Sequence, residues 1–118
     1  TDSVLAHYQR LVDSVAKQVG DMDAIMHPPM LTDMPLETDG DCHAVQVLAR
    51  ILEQEGLNPE PIGVPFGSDA SKFGALGIPS MILGPGCIDQ AHAAVEYIEC
   101  DQVVRAARIY RSFMTEFA

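Results

Sequence analysis

The stretch Leu83–Glu99, LGPGCIDQAHAAVEYIE, holds the side chain with the strongest claim to chemistry in this chain. His92 lies six residues past a Gly-Pro-Gly turn, and Glu96 lies four residues further on. A neutral imidazole is a common zinc ligand, and a nearby carboxylate often fixes its tautomer. His92 is therefore the candidate metal ligand and Glu96 the candidate group that orients it. On spacing alone, a single His beside a glycine turn is more often a structural residue than a ligand. A second loop, beginning at Gly67, offers different chemistry. Gly67 allows close backbone approach, and Ser68 and Asp69 open a short helix whose first N–H groups can hold a carboxylate. Asp69 itself stays open between general base, metal ligand and helix cap, with the spacing favouring the cap. Lys72 can pair with a substrate acid or stand as a surface lysine.

The remaining polar clusters read first as surface. Asp33, Glu37, Asp39 and Asp41 form an acidic run that suits a solvated loop with helix caps better than a metal site. His43 falls in the first turn of a helix and reads as an exposed His. Arg105, Arg108 and Arg111, three apart, resemble a phosphate track but fit the wet side of a helix. No G-x-S-x-G elbow is present for a serine hydrolase, and no phosphate-binding loop. Cys42, Cys87 and Cys100 show no C-x-x-C spacing and read as free thiols of a reducing cytoplasm rather than zinc ligands.

The elements that must carry these loops follow from periodicity. Val4, Leu5, Tyr8, Leu11, Val12, Val15 and Val19 recur at helical spacing, with Ser3 as cap and Gly20 as stop. Residues 22–27 predict a short edge strand ahead of Pro28-Pro29. Residues 28–40, rich in proline and acids, predict a linker. Asp41 is expected to cap a second helix, with Ala44, Val45, Leu48, Ile51 and Leu52 buried and Gly56 ending it. Pro61–Phe66 and Pro79–Leu83 read as apolar strands, separated by a short helix that stops at Gly77. Asp101 is expected to cap the last helix, whose buried face would be Val103, Val104, Ala107, Tyr110, Phe113, Met114 and Phe117. Strands alternating with helices predict an α/β fold with a mainly parallel sheet, and ligands bind at the carboxyl edge of such sheets. Two strands do not make a stable domain, so the pattern implies a larger sheet.

An apolar fraction of 47% suits a packed core, and a net charge of −10 argues against nucleic acid and anionic membranes as partners. No apolar run reaches the ~18 residues a membrane span needs. The first 20 residues are amphipathic and charged, unlike a signal peptide, so a cytoplasmic location is expected.

LGPGCIDQAHAAVEYIE resembles the closing motif of the zinc amidohydrolase and metallopeptidase family that includes acetylornithine deacetylase, succinyl-diaminopimelate desuccinylase, aminoacylase and carboxypeptidase G. VPFGSDASKFGALGIPSMILGPG resembles the segment just upstream in those enzymes, and PLETDGDCHAVQVLARIL the return from their lid domain. The resemblance covers residues 35–118 by motif and residues 1–30 by pattern. It implies the C-terminal part of a three-layer α/β/α catalytic domain at 41–118, a linker at 31–40, and at 1–30 the last helix and strand of an α+β lid or dimerisation domain. It implies hydrolysis of the amide of an N-acylated amino acid or small peptide by a two-zinc site, with His92 as the one zinc ligand in this chain and no catalytic base. Gly67, Ser68 and Asp69 would contact the substrate carboxylate, and Glu96 would support His92. The other ligands would belong to an N-terminal portion of the same enzyme, which the family forms as a homodimer. A non-catalytic α/β interaction module, or an inactive relic of that family, is the alternative reading of the same residues.

Overall fold

A computed structural model of the chain describes residues 2–20 and 22–118. The chain divides into two compact units, Thr1–Met34 and Pro35–Ala118. The first unit is built on helix α1, Asp2–Val19. Backbone at Asp2 is already helical, so Ser3 lies inside the helix rather than at its cap. Gly20 ends it with φ +75, a conformation that only glycine adopts freely. No residue of α1 is fully buried: Leu5, Gln9, Val12 and Ala16 are half-buried, while Val4, Tyr8, Leu11, Val15 and Val19 are exposed.

The second unit is organised by two helices, α2 (His43–Gln54) and, after the short helix α3 (Ala70–Ala75), the long α4 (Cys100–Glu116). They run antiparallel. His43, at the start of α2, stacks on Phe117 just past the end of α4, with ring centroids 5.5 Å apart. Glu55, just past the end of α2, receives Arg108 of α4 at 3.5 Å. Val47, Ile51 and Ile109 form the buried core, flanked by Leu48, Leu52, Leu57, Leu83 and Phe113. Val47 and Ile51 expose 0% and 1% of their surface. Removing such side chains from water is what holds the pair together, since the exposed Arg108–Glu55 pair adds little.

Three expectations about caps and faces are corrected. The N-cap of α2 is Cys42, with no side-chain cap hydrogen bond. Asp41 instead donates its own N–H to the Asp39 carboxylate at 2.9 Å, so Asp39 closes the turn before the helix. At α4 the N-cap is Glu99, and Asp101 lies within the first turn, where its charge favours the helix N-terminus without capping it. The buried face of α4 carries Ala106 and Ile109, with Phe113 half-buried. Of the predicted core face, Phe113 packs against the core, whereas Ala107 is exposed and Val103, Val104, Tyr110, Met114 and Phe117 are 40–68% exposed. The reason is that α4 is apolar over more than one stripe, and α2 selects the stripe that meets Val47 and Ile51.

The α/β expectation is overturned. No strand is present among the described residues, and helices are the only regular elements. Segments 22–27, 61–66 and 79–83 run without the ladder hydrogen bonds that define a sheet. A strand exists only through a neighbour, and these segments have none among the described residues. Pro61, Pro65 and Pro79 further remove N–H donors from two of them. Only a fragment of such pairing occurs. The Thr38 hydroxyl donates to the Ser80 carbonyl at 2.5 Å and accepts from the Ser80 N–H at 3.3 Å, doing for one residue what a strand neighbour would do. The three-layer architecture is therefore not a description of this chain.

Candidate functional site

Helix α4 builds the Gly84–Gly86 turn from outside. Tyr110 donates its hydroxyl to the Leu83 carbonyl at 2.7 Å. The Gly86 N–H donates to the Gln102 side-chain oxygen at 2.8 Å. Gly86 has φ +93, which a side chain would strain, and its missing side chain faces Ile98. From this turn the chain passes Cys87 into a single 3-10 turn, Ile88–Gln90. Gly84–Ile88, Gln90, Ala91 and Glu96–Ile98 then line an open cleft of about 440 Å³.

Of the two sequence candidates of this segment, Glu96 lines the cleft and His92 follows the lining Ala91 without lining it. His92 is exposed and is the only non-glycine residue among those described with a left-handed backbone, φ 61. His tolerates that region better than most side chains, and the conformation turns the chain sharply after Ala91. No hydrogen bond joins Glu96 to His92. A closed zinc site needs about four protein donors and a catalytic one about three. Among the described residues no group of three or more His, Cys, Asp or Glu comes together to hold a metal ion. One imidazole is not a metal site, so the described residues do not by themselves assemble one.

The loop before α3 is placed differently. Gly67 is exposed, and a side-chain carbon built on it would meet nothing within 4 Å, so its backbone is open to approach. Asp69 occupies the N-cap position but makes no side-chain cap hydrogen bond. Its carboxylate is held by the Lys72 ammonium one turn on, and that hydrogen bond and charge lower the Asp69 pKa below its ordinary 3.8. The capping group is Ser68, whose hydroxyl accepts from the Ala70 N–H at 3.2 Å and whose carbonyl accepts from the buried Ser71 hydroxyl at 2.9 Å. Asp69 as a cap was thus legible by position and wrong by atom.

Sequence reasoning missed Gln102 and the polar end of Tyr110. Periodicity places Tyr110 on the apolar face of the last helix and gives Gln102 no role. A Gln in the first turn of a helix that follows a glycine turn is the signal that could have found it. The three cysteines are free, Cys87 and Cys100 exposed and Cys42 half-buried. No helix among the described residues is long and apolar enough to cross a membrane.

Comparison with known proteins adds the following. The model of peptidase family M20/M25/M40 matches residues 12–116. An acetylornithine deacetylase of Myxococcus xanthus is 31% identical over 86 residues, covering 73% of this chain and 21% of that protein. An acetylornithine deacetylase of Buchnera aphidicola subsp. Schizaphis graminum is 36% identical over 58 residues, covering 49% of this chain and 15% of that protein. The matched part of the chain thus spans about a fifth or less of the length of these curated relatives. No solved structure matches it.

Proposed function

Because the chain belongs to peptidase family M20/M25/M40, we propose that it is a segment of a metal-dependent amidohydrolase that cleaves the amide of an N-acylated amino acid, acetylornithine being the first candidate. The observation that carries this reading is the family match over residues 12–116, and similarity to two acetylornithine deacetylases supports it. In this reading His92 is the one zinc donor of the segment, and Glu96 bears on its orientation. Gly67, Ser68 and Asp69 contact the substrate carboxylate, with Lys72 able to share that role. The remaining donors and the general base belong to residues outside this segment, for which the greater length of the relatives leaves room. The exposed imidazole supports the assignment, since a donor to a site completed elsewhere must face outward. Catalysis by the chain alone is not expected, because a single imidazole cannot complete the site.

The test compares the chain alone with a family-length polypeptide that carries it. Both are assayed for zinc content and for release of acetate from N-acetylornithine. The chain alone should show no turnover. In the family-length protein, His92→Ala should lower zinc by one ion per polypeptide and abolish most of the activity. Unchanged zinc and unchanged rate in that variant would refute the assignment and favour a non-catalytic role.

A further inference from the structure

We propose that Gln102 and Tyr110 are positioning residues for the His92 segment, a role resting on the functional reading above. They act by clamping the turn from which that segment departs. Five constraints meet there. Tyr110 takes the Leu83 carbonyl at 2.7 Å, and Gln102 takes the Gly86 N–H at 2.8 Å. Between those two points Pro85 fixes its own φ near −65°, and Gly86 is held at φ +93 against Ile98. Leu83 also packs against the Val47–Ile51–Ile109 core. Both clamping side chains come from one helix, and that helix is anchored between them by buried Ala106 and Ile109.

The consequence is directional. Among the described residues the backbone of 79–83 is held at Ser80 by Thr38 and by no strand ladder. Helix α4 bears on where the chain goes after Gly86, through two side chains at opposite ends of the turn. His92 lies six residues downstream, and the cleft lined by Glu96 shares Gly84, Pro85 and Gly86 as one wall. Loosening either clamp releases that wall and lets the imidazole wander. A displacement of about 1 Å in a reacting assembly can cost on the order of 100-fold in rate. The effect is expected in kcat, because both side chains are engaged by the backbone of the turn.

Two measurements test this. The first is amide hydrogen exchange of Gly86 in the 118-residue chain, which needs neither metal nor turnover. Gln102→Leu should speed exchange at Gly86 about tenfold, the factor that corresponds to loss of roughly 1.4 kcal/mol of protection. Gln102→Glu keeps an acceptor oxygen and should restore slow exchange. Equal exchange in wild type and Gln102→Leu overturns the clamp. The second is the kinetic split in the family-length protein. Gln102→Leu and Tyr110→Phe should each lower kcat about 10- to 100-fold with KM within about threefold, and Gln102→Glu should recover most of kcat. If His92→Ala abolishes activity while Gln102→Leu and Tyr110→Phe leave kcat intact, the positioning role falls and the functional reading stands. If His92→Ala leaves activity intact, the functional reading falls and takes the positioning role with it.

Discussion

The two glycines of the Gly84–Gly86 turn should respond oppositely to alanine, although they are two residues apart and chemically identical. Gly86 has φ +93, whereas Gly84 lies outside the left-handed region, and a side-chain carbon on it would meet nothing within 4 Å. Alanine lowers the entropy of the unfolded chain equally at both sites, a gain of about 0.4–1 kcal/mol. At Gly84 nothing opposes that gain, so Gly84→Ala should be neutral or slightly stabilising. At Gly86 a left-handed alanine costs roughly 1–2 kcal/mol. Contact with Ile98 is not the problem there, since the new carbon would sit 3.5 Å from the nearest Ile98 atom, an ordinary van der Waals distance. The unfolded-state term cancels between the variants, and the difference isolates the backbone strain at about 1–2 kcal/mol. With a urea m-value of about 1.5 kcal/mol/M, the two midpoints should separate by about 1 M, Gly86→Ala lying lower. Urea titration followed by circular dichroism at 222 nm reads this directly. Coincident midpoints, or Gly84→Ala the less stable, would refute the claim that Gly86 is held in its observed conformation by its surroundings.

Other outcomes follow from the packing and the charges. Ile109→Ala should cost about 2–5 kcal/mol, and Ile109→Val about 0.5–1.5, as shifts in thermal midpoint. Val104→Ala on the same helix should stay within about 0.5 kcal/mol, because Val104 is 58% exposed. Equal losses at the two positions would mean that α4 packs through the other stripe. Lys72→Met should raise the Asp69 pKa toward 3.8, as read by carboxyl carbon chemical shift against pH. The Asp69 pKa is depressed in the folded chain, so any stability from the pair is present above pH about 4 and is lost as pH falls through the lowered value. Asp69 is ionised throughout pH 5 to 7, so the stability difference between wild type and Lys72→Met should not change there, and the exposure of both residues keeps it small.

The helices were legible because their signals are local. Apolar spacing places α1, α2 and α4, and Gly20, Gly56 and Gly77 stop helices with φ values of +75, +72 and +76. Caps were legible to within one or two residues only. At α2, Asp39 closes the turn through its side chain while Cys42 holds the cap position, a distinction that composition does not reveal. Strands failed for a physical reason. Pro61–Phe66 and Pro79–Leu83 have strand-like composition, yet a strand is a relation between segments, and no partner ladder forms among the described residues. The face of α4 failed likewise, because its sequence supports more than one apolar stripe and only the presence of Val47 and Ile51 decides between them. At the candidate site, the position of the Gly-Pro-Gly turn was readable from the motif, whereas the exposure of His92 was not. The clamp by Gln102 and Tyr110 was not, since it joins residues 16 and 27 apart in sequence.

The exposed stripe of α4 has a colloidal consequence. Val103, Val104, Met114 and Phe117 present apolar surface to water at 45–68% exposure. In dilute neutral buffer the charge of −10 keeps molecules apart. That repulsion vanishes near the isoelectric point of about 4.5, and added salt shortens its range to about 8 Å at 0.15 M. Attraction between the stripes does not weaken in either condition, and excluded salts such as sulfate strengthen it. The second virial coefficient of the chain should therefore fall from positive toward negative both on acidification to pH 4.5 and on addition of sulfate. The working window for concentrated solutions lies at pH 7 or above and at low ionic strength.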